Sequence, residues 1–273
     1  MNKFIILMYH MISDPKSPEE TKYACPAERF EKHMQQLKRN GFTPVSLDQI
    51  EQSILLGKPL SEKSFAITLD DGFEDNYTNA FPILTQHNIP ATIFLASGCI
   101  GLTNKWMTSR NFPSRKMLDW QQIKEMQQHN ISFGAHTVSH PKLPELDDEA
   151  ATNEIIDSKK TIEEKLGIAC KHFAYPYGLF NTANRDSVES SGFTLACSTR
   201  SGFNNANRDP FVLHRIEVYG DDPWWKLKQK MTFGINDASL FFPLKYYTSR
   251  LVHRFTKNSE LLNYGYQYHY LFI

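Results

Sequence analysis

The chain has 273 residues, and its formal net charge is zero because thirty Lys and Arg residues balance thirty Asp and Glu residues. Apolar residues make up 41% of the chain, enough to bury a core, which excludes a disordered protein. The balanced charge argues against a dedicated nucleic-acid-binding protein, which usually has a basic excess.

Short apolar runs alternate with amphipathic segments from the N-terminus onwards. The predicted strands are residues 4–9, 65–69, 91–95, 131–135, 172–175, 194–197 and 212–218. The predicted helices are residues 26–40, 75–87, 120–130 and 148–166. Strands that alternate with helices indicate βαβ units and a parallel sheet, and about seven such units predict a closed or nearly closed α/β barrel.

The first apolar run is too short to be a secretory segment, and no run approaches the roughly 18 apolar residues of a membrane-spanning helix. The four cysteines are widely spaced, without a Cys-x-x-Cys pair, which favours free thiols over disulfides or a zinc knuckle. From these two patterns we expect a cytoplasmic protein.

Polar residues follow several predicted strands, and parallel βα folds place their chemistry at this end of the sheet. Asp70, Asp71 and Gly72 close the strand at 65–69. Neighbouring side chains of an extended chain point in opposite directions, so one carboxylate could bind a metal while the other acts as a base. The alternative is an ordinary Asp-Gly turn.

His136 and His140 follow the strand at 131–135. Histidines at positions i and i+4 lie on one face of a helical turn, which is a metal-ligand spacing. The alternative is a pair of histidines on a solvated loop. Combined with Asp71, the histidines offer two nitrogens and one carboxylate, a set that suits Zn²⁺ or another divalent transition metal.

Two further strand ends are candidates. The segment 173–178 ends in Tyr175-Pro176-Tyr177-Gly178, a rigid turn whose backbone N–H groups could face a developing oxyanion. His10 follows the first strand. Taken alone, each is as well explained as a turn or a structural histidine.

Together, these motifs resemble the polysaccharide deacetylases with a NodB-homology domain, which form carbohydrate esterase family 4. Residues 68–72 match the T-F/L-D-D-G motif of that family, residues 136–140 match its H-S/T-x-x-H motif, and residues 173–178 correspond to its third motif. The resemblance covers about residues 3–218 and implies a distorted (β/α)₇ barrel. It assigns the metal to Asp71, His136 and His140, and the general base to Asp70.

The chain departs from the family at two places. The third motif usually opens with an arginine that braces the catalytic aspartate, but the corresponding positions are Lys171 and His172. Arg215 is our candidate for that brace. The Tyr9-His10 start resembles the rearranged branch that contains poly-N-acetylglucosamine deacetylases, so the acid is His10 as first choice and His214 as second.

The resemblance implies hydrolysis of the N-acetyl group of an amino sugar in a polysaccharide, oligosaccharide or lipid-linked glycan, as in exopolysaccharide synthesis. The Tyr177 N–H would stabilise the oxyanion, and Tyr175, Trp106 and Trp120 are candidates to stack on sugar rings. Zn²⁺ is the first choice of cofactor, with Co²⁺, Ni²⁺ and Fe²⁺ as alternatives. The alternative functions are a deformylase or other deacylase of a lipid-linked amino sugar, and a non-catalytic glycan-binding barrel.

The C-terminal segment differs in composition from the rest of the chain. Residues 224–273 hold seven Lys and Arg, two Asp and Glu, and 13 aromatic residues. We therefore predict a deacetylase barrel over residues 1–222 and a basic, aromatic extension over 223–273, either packed on the barrel or appended to it. A helix from Pro243 would make residues 240–257 a candidate for binding an anionic membrane surface at the inner face. The sequence does not indicate an oligomeric state.

Overall fold

The computed structural model describes residues 3–244, 246 and 248, apart from the side chain of Ser109. The strands are β1 (Phe4–Tyr9), β2 (Thr43–Pro44), β3 (Ser64–Leu69), β4 (Ala91–Leu95), β5 (Ile131–Ala135), β6 (His172–Ala174), β7 (Leu195–Cys197) and β8 (Ile216–Glu217). The helices are α1 (Ala27–Arg39), α2 (Leu47–Leu56), α3 (Phe81–His87), α4 (Trp120–Gln127), α5 (Asp148–Leu166), α6 (Thr182–Ser190) and α7 (Trp224–Phe233).

The strands form one parallel sheet in the order β7-β6-β5-β4-β3-β1-β8, with β2 paired to the start of β3. Just before β8, Leu213 bridges in parallel to Cys197 of β7, so the segment leading into β8 reaches the opposite edge of the sheet. The sheet therefore curls into the predicted distorted (β/α)₇ barrel.

Alternating side chains of the strands face two different layers, as the period of an extended chain requires. Phe4, Ile6 and Ala66 face the barrel interior and pack with Leu47 and Ile50 of α2. The other face of the strands packs against the helices in a larger core. Because β2 pairs with the start of β3, α2 lies at the end of the barrel where the strands begin. The opposite end is left for the residues that follow the strands.

The chain divides into two compact units, Met1–Asn236 and Asp237–Ile273. Helix α7, whose residues fall within the predicted extension over 223–273, belongs to the first unit, and its Leu227 and Met231 are in the main core. In the second unit, residues 245, 247 and 249–257 of the predicted helix from Pro243 lie outside the described residues. All four cysteines are free thiols. Within the described part of the chain, no helix has both the length and the apolarity needed to cross a bilayer.

Candidate active site

The site begins with the turn that follows β3. Asp70 continues the inward-facing row of Ala66 and Thr68, and its N–H donates to the carbonyl of Tyr9 at 2.9 Å. The backbone then turns sharply, because Asp71 and Gly72 have φ values of 77° and 84°. A left-handed φ is strained for Asp71 and ordinary for glycine. The turn gives the two adjacent carboxylates different neighbours.

Asp71, His136 and His140 meet in a buried cluster. Oδ1 of Asp71 lies 3.2 Å from Nε2 of His140 and 3.5 Å from Nε2 of His136. The two histidine Nε2 atoms are 3.2 Å apart. Two imidazole nitrogens and a carboxylate oxygen that converge in this way form a donor set typical of zinc and similar cations.

The position and tautomer of His136 are set by its second nitrogen. Nδ1 lies 2.7 Å from the carbonyl oxygen of Ala174 at the end of β6. Since a carbonyl only accepts, Nδ1 carries the proton and Nε2 is left with its lone pair facing Asp71. Burial, and then the charge of His140, lower the pKa of His136 to about 4. The ring is therefore neutral near pH 7, as a metal ligand must be.

The segment between the two histidines is a loop, so the predicted helical turn is wrong. Thr137 and His140 have φ values of 64° and 62°, which lie outside the right-handed helical region. The loop is held instead by Glu154 of α5, which accepts hydrogen bonds from the N–H groups of Val138 and Ser139 at 2.8 and 2.9 Å. Glu154 has no sequence signal for this role, because its hydrogen-bond partners are backbone groups in another segment.

Asp70 does not join the cluster of Asp71 and the two histidines but pairs with a buried arginine. Arg215 donates to both carboxylate oxygens of Asp70, at 2.6 and 2.7 Å, and its Nε donates to the carbonyl of Ser198. Burial alone would raise the pKa of Asp70, but the Arg215 guanidinium outweighs it, and the pKa lies below its usual value. Asp70 is thus an ionised carboxylate in a fixed orientation.

His10 interacts with both carboxylates through its charge. Its positive charge would lower the pKa of Asp70 and of Asp71, which shows that the three groups are within electrostatic reach. The backbone around His10 is held by residues that follow the Asp70 turn: Asn76 donates to the carbonyl of His10 at 2.8 Å, and Asp75 accepts from the N–H of Ile12 at 3.0 Å. One segment therefore positions both His10 and the two aspartates.

His214 lies away from this group. It lines a separate cavity of about 460 Å³ together with Arg200 and Arg208. Burial, and then the charges of these two arginines, lower its pKa to about 4. His214 is therefore neutral near pH 7.

Tyr177 lies against the cluster with a strained backbone. Its φ is 58°, and its ring centroid is 4.6 Å from that of His140. The next residue, Gly178, also has a positive φ, and a Cβ there would lie 2.0 Å from Oγ1 of Thr199. Among the described residues, none accepts a hydrogen bond from the Tyr177 N–H. This donor is thus free for a ligand.

The three predicted sugar-stacking aromatics lie in different places. Trp106 stacks on His140 with centroids 5.0 Å apart and is half-buried beside the cluster. Tyr175 is fully buried, its OH donates to the carbonyl of Phe211, and its ring stacks on Phe180. Trp120 packs against the main core from the start of α4. Tyr175 therefore offers no face to a sugar, because its strand directs it into the helix layer, and Trp120 belongs to that layer too.

The rim of the site contains aromatic and basic residues that the sequence analysis missed. Tyr23 lies 5.2 Å from the His10 ring and 5.8 Å from Phe112. The Arg110 guanidinium lies over the rings of Phe112 and Tyr177 at 5.3 and 5.8 Å. These residues come from irregular loops, which have no periodic signal. A cluster of aromatics with arginine near residues 106–112 was the available clue.

Comparison with known proteins identifies a matching family, sequence relatives and solved structures with a similar fold. The profile of the polysaccharide deacetylase family matches residues 57–196. The Bacillus subtilis (strain 168) protein YxkH, named as a polysaccharide deacetylase, is 32% identical over 216 residues, which are 79% of this chain and 71% of that protein. A Staphylococcus aureus (strain MSSA476) poly-beta-1,6-N-acetyl-D-glucosamine N-deacetylase is 26% identical and covers 75% of this chain and 71% of its own.

A solved structure agrees. The Streptococcus pyogenes deacetylase PplD in complex with acetate superposes with a TM-score of 0.72 at 28% identity, covering 84% of this chain and 98% of that chain.

Proposed function

Because the chain belongs to the polysaccharide deacetylase family, we propose that it is a metal-dependent hydrolase that removes N-acetyl groups from an amino sugar of a polysaccharide, oligosaccharide or lipid-linked glycan. One observation carries this proposal: a buried His₂Asp donor set lies next to a carboxylate that a buried arginine holds in place. The set offers ligands, and the second carboxylate offers a base.

The donor set fits a divalent cation. The ligand atoms of Asp71, His136 and His140 lie within 4.8 Å of one another and are buried, so one cation could contact all three. Asp71, His136 and His140 would hold it. When bound, the cation lowers the pKa of water and polarises the acyl carbonyl. Zn²⁺ is the first choice, and Co²⁺, Ni²⁺ and Fe²⁺ suit the same nitrogen and oxygen donors.

In the proposed reaction, Asp70 takes the proton of the attacking water. Its orientation comes from Arg215, which leaves each carboxylate oxygen with a further lone pair. The free Tyr177 N–H donates to the oxygen of the tetrahedral intermediate, an interaction that is typically worth about 10²-fold or more in rate. Protonated His10 gives its proton to the leaving nitrogen as the C–N bond breaks. The products are acetate and a free amino sugar.

The relatives support an N-acetyl substrate. One is named as a poly-N-acetylglucosamine N-deacetylase, and the PplD structure holds acetate, the acid that this reaction would release. The test is to incubate the Zn²⁺-loaded protein with N-acetylated and N-formylated glycans, free and lipid-linked, and to measure acetate and formate.

We expect acetate release by the wild-type protein and a loss of about 10²-fold or more in Asp70→Asn, as for other removed general bases. Asp157→Asn, which changes an exposed carboxylate of α5, is the matched control and should keep full activity. Release of formate and not of acetate would contradict the deacetylase proposal and support the deformylase alternative. No acid from any glycan, despite bound metal, would favour a glycan-binding barrel.

We also propose that residues 240–257 place the protein on an anionic membrane surface at the inner, cytoplasmic face, where lipid-linked glycans would be within reach. The excess of basic residues in 224–273 supports this proposal, as do the exposed side chains of Leu240, Phe241 and Leu244. Flotation with anionic liposomes tests it. Binding should be lost with zwitterionic lipid and in a chain that ends at residue 239, and unchanged binding in that shorter chain would contradict it.

A further inference from the structure

A second cluster of metal-binding side chains lies at the end of the barrel opposite the active site. Asp48 and Glu51 belong to the first half of α2, and His172 is the first residue of β6. One ligand atom from each lies within 4.8 Å of the other two. Since His136 follows the end of β5 while His172 opens the adjacent parallel strand, the two clusters are at opposite ends of the sheet.

His172 is the buried member of this cluster. Its side chain is 4% exposed, and its Nε2 has no hydrogen-bond partner in the described structure. The atom points at the carboxylates: Nε2 lies 3.4 Å from Oε2 of Glu51, without hydrogen-bond geometry, and 4.0 Å from Oδ1 of Asp48. A buried polar atom without a partner destabilises the fold. A ligand at this position would remove that destabilisation.

A cation already lies near the two carboxylates. The Lys171 ammonium is 3.4 Å from Oδ1 of Asp48 and 3.7 Å from Oε2 of Glu51, and its side chain is 47% exposed. Such exposed ion pairs contribute little stability, so the lysine can move away at small cost. Lys171 shows that this place favours a positive charge, and its ammonium makes no hydrogen bond to Nε2 of His172 in the described structure.

We propose that Asp48, Glu51 and His172 form a second, structural divalent-metal site, which Lys171 occupies with its ammonium when no metal is bound. One imidazole and two carboxylates suit Zn²⁺ and other first-row divalent ions. The metal joins α2, which covers the base of the barrel, to β6, whose end supports His136 through Ala174. This inference does not depend on the proposed catalytic function.

Equilibrium dialysis with Zn²⁺ tests the proposal. We expect the wild-type protein to bind about two equivalents per chain, one at each cluster, and His136→Ala/His140→Ala to retain about one. In that double variant, Glu51→Gln or His172→Gln removes the remaining ion. Lys171→Met tightens its binding, because the competing cation is gone. Zn²⁺ also raises the Tm of the double variant, since it binds only the folded chain.

Two results would overturn the proposal. One is a double variant that binds no Zn²⁺ while the wild-type protein binds one ion. The other is residual Zn²⁺ that neither His172→Gln nor Lys171→Met affects, which would place it elsewhere on the surface. If the double variant does not fold, the wild-type background decides: Glu51→Gln must lower the stoichiometry from about two to about one, whereas Glu149→Gln, an exposed control, must not.

Discussion

Arg215 and Asp70 are 145 residues apart in the sequence, yet they form a two-pronged ion pair inside the barrel. Each terminal nitrogen of the guanidinium donates to one oxygen of the carboxylate. Neither side chain is more than 3% exposed. In a buried pair of this kind, the loss of one partner is costly because the other charge stays behind without compensation. The pair thus ties the orientation of the proposed base to the integrity of the fold.

The first prediction concerns this pair. Arg215→Met leaves Asp70 buried without a cation, and we expect it to lower the free energy of unfolding by about 3–5 kcal/mol. Urea unfolding followed by circular dichroism measures this. Arg185→Met is the control, because Arg185 makes three ion pairs at the surface, with Asp186, Glu189 and Asp209. A similar small loss in both variants would contradict the prediction.

The second prediction separates the two candidate acids. His10 lies within electrostatic reach of Asp70 and Asp71, whereas His214 lines a separate cavity. We expect His10→Gln to lower kcat by about 10²-fold or more, the usual contribution of a general acid. His214→Gln should leave kcat nearly unchanged, since His214 lines a cavity whose lining includes neither Asp70 nor Asp71, nor either histidine of the cluster. Steady-state acetate release measures both, and the reverse order would reassign the acid.

The third prediction concerns the loop that carries His140. Glu154→Gln replaces the charged carboxylate, whose Oε2 accepts from two backbone N–H groups, with a neutral amide that is a weaker acceptor. We expect Zn²⁺ affinity at the catalytic cluster to fall by about 10–100-fold, as when other supporting groups behind metal ligands are removed. Competition with a chromophoric chelator measures it. Glu149→Gln, an exposed change on the same helix, should leave the affinity unchanged.

The fourth prediction concerns pH. His33 is fully buried, accepts from the Tyr9 hydroxyl on Nδ1 and donates from Nε2 to the carbonyl of Asp222. Burial lowers its pKa from 6.5 to about 4. Between these values the unfolded chain binds a proton that the folded chain does not, so stability falls as the pH falls, by up to about 3 kcal/mol from this residue.

His33→Gln removes that proton and should flatten the decline between about pH 6.5 and 4. Urea unfolding at several pH values, with a chelator present, measures the slope. His136 and His214 contribute in the same direction in both proteins, so the difference isolates His33. The exposed His129→Gln is the control. An unchanged slope in His33→Gln would mean that burial of this ring does not control its protonation.

The barrel itself was predictable because its strands have strong local signals. The bounds of β1, β4, β5 and α5 coincide with the predicted runs, since continuous apolar strands and a capped 19-residue helix carry their pattern within a few residues. Helix α6 was missed, because it is largely polar and buries little besides Val188. Helix α2 was missed although Ser46 and Gln49 form a capping box, a sequence signal of a helix start.

The site was predictable to the extent that its residues lie in short motifs. Asp70 and Asp71 are adjacent, His136 and His140 are four residues apart, and each pair follows a strand. The support of these residues is not local: Arg215, Glu154 and Asn76 act through contacts made only when the barrel closes. The helical turn predicted for 136–140 was wrong because residue spacing says nothing of left-handed backbone angles. The prediction that Tyr175 contacts a sugar was wrong for a related reason. The side of the sheet to which a residue at the end of a short strand points depends on strand register, which the sequence does not show.

The bridge between Leu213 and Cys197 has a consequence for the order of synthesis. Arg215 lies two residues beyond this bridge. While Arg215 is still inside the ribosome, the part of the chain that has already emerged contains Asp70 without its cationic partner. A buried carboxylate without compensation opposes compaction. We therefore expect the nascent chain to stay protease-sensitive until the residues around 215 emerge, so that the barrel and the charge that completes its site form in a single event. Pulse proteolysis of chains stalled before and after this point would reveal that step.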